Sequence, residues 1–256
     1  MEGEELDLSR ALLAGAVCLV ALVASPGAGA FQRFPAGCSR DDFQSGGSNV
    51  RAELCRAAGA KRAVVILHGC GGFSTFDHRL AVELPRHGIS TLDVDYFEPT
   101  SPPPGRKGFC DGRGAVGSAF ATWLRVVDDA AAALGSTPGV DPRDVGVVGW
   151  SLGGGVALAS AAGDGGRRPF HAVAGFSTGA FGAEELARSL PPTILLSGGR
   201  TDAIPLSETL PLYRALRAAH VPSALYVYPH GLHEWPARQG TLGIEHAAAF
   251  LRRYLR

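Results

Sequence analysis

The chain has 256 residues, room for one α/β domain with a sizeable core, and its 24 basic side chains balance 24 acidic ones. With no basic stripe and no acidic tail, that balance excludes a surface built for nucleic acid or for a strongly charged partner.

The first thirty residues differ from the rest. "ALLAGAVCLVALVA", Ala11 to Ala24, is an apolar run of fourteen, short of the ~20 residues a membrane-spanning helix requires. "SPGAGA" follows and ends in the small-x-small pattern Ala28-Gly29-Ala30 ahead of Phe31. These features predict a secretory signal over residues 1–30, cleaved after Ala30, and a secreted or periplasmic mature chain with no stable membrane insertion. The preceding "MEGEELDLSR" is acidic and offers only Arg10, so an uncleaved anchor and a misassigned start are the alternatives. Lipid attachment at Cys18 is disfavoured by the bulk of Val17.

Residues 31–256 form the expected domain. "FQRFPAGCSRDDFQSGGS" has turn residues and no clean period, which predicts an irregular arm. "NVRAELCRA" alternates Val50, Ala52 and Leu54 against Arg51, Glu53 and Cys55, the pattern of one half-buried strand. "AVVILHG" is continuous and β-branched, as in a strand covered on both faces. Phe76, Leu80 and Leu84 place a helix that Pro85 and Gly88 close. After the strand "STLDVDY" and a proline-rich loop, Phe120, Trp123, Leu124 and Val127 mark the longest helix. The strands "DVGVVGW", "HAVAGFS", "PTILLSGG" and "SALYVYP" then alternate with the helices "SLGGGVALASAA", "LSETLPLYRALRAA" and "IEHAAAFLRRYL". Such alternation implies right-handed crossovers and a mostly parallel sheet with helices on both faces, an α/β fold in one domain.

Setting Cys18 aside leaves Cys38, Cys55, Cys70 and Cys110. An even count in an exported chain suggests two disulfides in one of three pairings. Cys38–Cys55 with Cys70–Cys110 is the expected one, and four buried thiols are the alternative. No C-x-x-C or Cys/His spacing suggests a metal, and no cofactor is expected.

Gly149-Trp150-Ser151-Leu152-Gly153 is a G-x-S-x-G pattern between a predicted buried strand and a predicted helix. A nucleophile held in so tight a bend leaves no room for side chains two residues to either side, hence glycine. Nucleophilic serine needs a base, and the base needs an orienting acid, each just beyond a later strand. Asp202 follows "PTILLSGG", whereas Asp164 lies too near the elbow helix and Glu184 and Glu185 precede the strand. "HGLHEW" offers His230 and His233, of which His233 has more reach toward Ser151. The oxyanion needs donors, and the amides of Leu152 and Cys70 are the candidates, the latter from "ILHGCGGF".

In this order, "AVVILHGCGGF", "DVGVVGWSLGGG", "GGRTDAIP" and "YPHGLHEW" resemble the dienelactone hydrolase family of α/β-hydrolases, from about Val50 to the C-terminus. The resemblance implies Ser151, Asp202 and His233 as nucleophile, acid and base. Enzymes that open dienelactones typically carry cysteine where this chain has Ser151, so the resemblance implies the fold and the triad but not that ring-opening. "GWSLGGG" and "TDAIPLSETLPLY" also look like secreted cutinase-like polyester hydrolases, from which "HGCGG" departs.

The expected activity is serine hydrolysis of small or exposed carboxylic esters, with a small-molecule ester as partner and the oligomeric state left open. A polyester hydrolase and a non-catalytic binding protein of the same fold are the alternatives. Trp150 and Trp235 read equally as pocket lining and as core.

Overall fold

The computed structural model describes residues 36–100, 109–110, 113–163, 169–179, 185–199 and 202–256, with side chains in the first helical turn from 116 onward. The expected export signal, Cys18, Asp164 and Glu184 lie outside the described residues. The described residues hold ten strands, in chain order β1 (Cys38–Arg40), β2 (Phe43–Ser45), β3 (Ser48–Val50), β4 (Ala52–Cys55), β5 (Ala63–Leu67), β6 (Ser90–Val94), β7 (Val145–Trp150), β8 (Val173–Phe176), β9 (Thr193–Ser197) and β10 (Ser223–Val227). Among the described residues five helices accompany them: α1 (Thr75–Glu83), α2 (Arg113–Gly135), α3 (Leu152–Ala162), α4 (Leu206–Ala218) and α5 (Ala237–Tyr254).

Eight strands form one sheet in the order β1-β4-β6-β5-β7-β8-β9-β10. From β6 to β10 every pairing is parallel; β4 runs antiparallel to β6, and β1 antiparallel to β4. Alternation along β5 sends Val65 and Leu67 to one face, into the core that also holds Trp123 and Val127 of α2, Val156 of α3 and Leu212 of α4. Val64 and Ile66 face the other way, onto Phe76 and Leu80 of α1 and Ile244 and Leu251 of α5. This is the mostly parallel sheet with helices on both faces that the strand-helix alternation implies. Among the described residues, no helix is long and apolar enough to cross a membrane.

Three expectations need correction. The arm is not irregular throughout: β1 pairs with β4, setting Cys38 opposite Cys55, and a disulfide joins the two. The single strand expected over "NVRAELCRA" divides at Arg51. Its start is β3, which pairs with β2 in a separate hairpin turned by Gly46 and Gly47, both left-handed (φ 54° and 84°). Two consecutive residues with positive φ are what a tight two-residue hairpin turn demands. The last helix begins at Ala237 rather than Ile244, because Gly240 and Gly243 belong to its buried face. Trp235 packs within 3 Å of where a Cβ at Gly243 would stand.

Asp77 in the first turn of α1 and Asp93 on β6 are buried carboxyls, each with one oxygen lacking a hydrogen bond. Burial pushes Asp77 up to about 6. It pushes Asp93 well above the usual 3.8, with the nearby Asp77, Glu53 and Asp95 carboxylates adding to the rise. A carboxyl raised by folding holds its proton more tightly in the folded chain. Its contribution to stability is therefore whole below about pH 4 and lost as pH climbs through the folded value. Asp93→Asn, which removes the charge and keeps the shape, is expected to raise Tm by a few degrees at pH 8 and by less at pH 5. Thermal unfolding at the two pH values checks this; an advantage that does not shrink on acidification contradicts it.

Candidate active site

The site begins where β7 meets α3. Ser151 sits between them with φ 56° and ψ −120°, a backbone state that residues with a side chain seldom adopt. Two features hold it there. Its amide donates to the Phe176 carbonyl at 2.9 Å, and its neighbours at 149 and 153 have no side chain. A Cβ at Gly149 would overlap the Gly153 carbonyl, and a Cβ at Gly153 would overlap the carbonyl oxygens of Leu67 and His68 at the end of β5. The hydroxyl is thereby lifted above the strand ends at the N-terminus of α3.

Asp202 and His233 come from the loops after β9 and β10, and the structure brings both to Ser151. His233 Nδ1 lies 2.6 Å from Asp202 Oδ1, and His233 Nε2 lies 3.0 Å from Ser151 Oγ. All three residues are buried. His230, the other histidine of that loop, is exposed and pairs through its backbone with Gly199. Trp150 holds the loop in register: its indole N–H donates to the His233 carbonyl at 2.8 Å.

Among the described residues, four donors surround the Asp202 carboxylate. His233 and the Ile204 amide reach Oδ1; the Ser177 hydroxyl and the Gly198 amide reach Oδ2. Burial by itself pushes this carboxyl up, but the hydrogen bonds from His233 and Ser177, the imidazole's charge and the Ile204 amide outweigh it. Asp202 is held below the usual range. An ionised Asp202 keeps a proton on Nδ1, which leaves the Nε2 lone pair free to accept the Ser151 hydroxyl.

The loop after β5 completes the surroundings. Tyr96 donates its hydroxyl to the His68 carbonyl at 2.9 Å, the His68 ring donates from Nδ1 to the Gly69 carbonyl at 2.9 Å, and the Phe109 amide donates to the Cys70 carbonyl at 2.7 Å. The Cys70–Cys110 disulfide adds a covalent tie. Among the described residues, the amides of Cys70 and Leu152 have no acceptor. Trp150 is half-buried and packs against Gly69, where a Cβ would stand 2.8 Å from its ring. Trp235 is core: it is 1% exposed and packs with Phe76, Phe176 and Tyr228.

Sequence reasoning missed Ser177, Tyr96 and the His68 ring. Each acts through a contact between residues distant in the chain or through a ring orientation, neither of which has a local pattern.

Residues 50–253 match the model of the dienelactone hydrolase family. The chain belongs to that family. A dienelactone hydrolase candidate from Klebsiella pneumoniae subsp. pneumoniae superposes with a TM-score of 0.70 at 19% identity, over 85% of this chain and 98% of its own. The dienelactone hydrolase of Anabaena variabilis gives 0.66 at 21%, over 86% and 100%. An esterase of Pyrococcus furiosus gives 0.65 at 16%, over 86% and 93%. At these identities the likeness is one of fold, the α/β-hydrolase fold. No curated protein sequence matches the chain.

Gly149→Ala tests the steric basis of the site. The added methyl must displace the backbone at Gly153 and with it the Ser151 bend. Reaction of Ser151 with a fluorophosphonate is expected to fall by about 100-fold or more, since an ångström of misplacement costs that much. Labelling at the native rate in a folded Gly149→Ala variant contradicts this account.

Proposed function

We propose that this member of the dienelactone hydrolase family is a serine hydrolase that cleaves carboxylic esters through an acyl-enzyme intermediate. The observation that carries the reading is His233, bonded at once to a carboxylate at 2.6 Å and to the Ser151 hydroxyl at 3.0 Å. Ser151 Oγ attacks the ester carbonyl while His233 Nε2 takes its proton. Asp202 keeps the imidazole in the right tautomer and stabilises the imidazolium that forms. The amides of Cys70 and Leu152 donate to the oxyanion of the tetrahedral intermediate. His233 then returns the proton to the departing alcohol, water attacks the acyl-enzyme with the same base, and the acid leaves.

The serine sets this chain apart from dienelactone ring-opening enzymes with cysteine nucleophiles, so a simple ester is the substrate class. The two disulfides and the N-terminal apolar run support an exported enzyme working in an oxidising compartment. A binding protein without catalysis is disfavoured by a serine, histidine and aspartate that all have their partners.

Two measurements test the reading. Mixing with p-nitrophenyl butyrate is expected to release a burst of p-nitrophenol, and Ser151→Ala to cut turnover by about 10⁴-fold or more. Undiminished turnover in Ser151→Ala overturns the proposal. Cys70→Ser with Cys110→Ser, by loosening one oxyanion donor, is expected to lower kcat about tenfold or more, bounded by the ~10²–10³ of losing a donor outright. Unchanged kcat removes the disulfide from the catalytic account.

A further inference from the structure

Ser177 follows β8 directly and carries a positive φ of 43°. Glycine adopts that backbone without strain, whereas serine does so at a cost. What the position gains for that cost is a hydroxyl, fully buried. It touches two groups. The indole N–H of Trp235 donates to Ser177 Oγ at 2.8 Å, and Ser177 Oγ donates to Asp202 Oδ2.

The direction of this chain is fixed by chemistry alone. An indole nitrogen donates and never accepts, so the contact with Trp235 occupies a lone pair of the hydroxyl. The one hydroxyl hydrogen is then free only for the carboxylate. Asp202 Oδ2 receives that hydrogen and the Gly198 amide, at 3.0 Å. A proton placed on Oδ2 would set donor against donor in a dry site, so the arrangement opposes protonation of Asp202 there. It also fixes the carboxylate plane, aiming Oδ1 at His233 Nδ1. Trp235 is itself closely packed: it stacks on Phe76 with ring centres 5.8 Å apart and meets Phe176 edge-on at 4.9 Å. It stands two residues after His233 on the same loop, so its side chain links the base's own segment, through the Ser177 hydroxyl, to the far oxygen of the acid.

We propose that Ser177 and Trp235 are positioning residues for ester hydrolysis, a hydroxyl and an indole that hold Asp202 ionised and aligned on His233. This rests on the reading of Ser151, His233 and Asp202 as an acyl-transfer triad. Neither residue touches substrate; both act through the acid. The competing account is structural: Ser177 only satisfies a buried indole that would otherwise lack an acceptor.

Ser177→Gly separates the two, because it removes the hydroxyl and relieves the backbone. With p-nitrophenyl butyrate the variant is expected to keep its KM within about threefold while kcat falls about 10- to 100-fold, the range a hydrogen bond to a charged group commands. Fluorophosphonate labelling of Ser151 should slow in proportion. The acid limb of the pH–rate profile should move up by about half a unit, because a carboxylate stripped of a donor attracts the imidazolium more strongly. Trp235→Phe keeps a ring and drops the N–H; its smaller loss should vanish in the Ser177→Gly background, as for two members of one chain. A folded Ser177→Gly variant with native kcat and a lowered Tm overturns the proposal, as does a fall in kcat with the pH profile unmoved. Failure of the native enzyme to label at Ser151 is a different result, and it sinks the triad reading instead.

Discussion

Helix α3 lies so close to the end of β5 that a Cβ at Gly153 would overlap the carbonyl oxygens of Leu67 and His68, and the geometry of the site follows from that approach. It sets the helix N-terminus, with the Leu152 amide, beside the loop that carries Cys70. It also forces the chain to turn within one residue, so Ser151 takes up a left-handed backbone and its hydroxyl stands clear of the sheet. The two later loops then need only reach across strand ends that the parallel order β5-β7-β8-β9-β10 already aligns.

Buried carboxyls in this fold behave in opposite ways, and donors decide between them. Asp202, Asp77 and Asp93 are all removed from water. Asp202 has donors on both oxygens and sits below the usual range, whereas Asp77 and Asp93 each keep an orphaned oxygen and are raised. Desolvation acts on all of them; it prevails at Asp77 and Asp93, where hydrogen bonds reach only one of the two oxygens. In the proposed mechanism a low carboxyl beside His233 serves proton transfer at neutral pH, while the raised pair, Asp77 in α1 and Asp93 on β6, burdens the fold there.

Much of this was legible in the chain because the governing forces are local. The continuous apolar runs of β5, β7 and β9 announce strands covered twice, and Gly149 and Gly153 announce a bend through short-range sterics. The order of strands points to Asp202, and reach points to His233 over His230 three residues away; the structure brings both side chains to Ser151. The β2–β3 hairpin was missed although Gly46-Gly47 is a turn signal, because its flanking segments are three residues long and largely polar. The start of α5 was missed because glycine, a poor helix former, occupies its packed face. Ser177 was invisible for a deeper reason: its partners lie 25 and 58 residues further along the chain, and nothing in "HAVAGFS" points to either.

In the G-x-S-x-G pattern the second position is written as free, yet Trp150 is anything but interchangeable here. Its nitrogen grips the loop that bears His233 while its ring lies against Gly69, in the loop beside Cys70. A single indole thus staples together three segments that meet nowhere else in sequence. A relative with a smaller residue at this point must secure its histidine by some other means, so variety at the wildcard position should travel with variety in the loops it clasps.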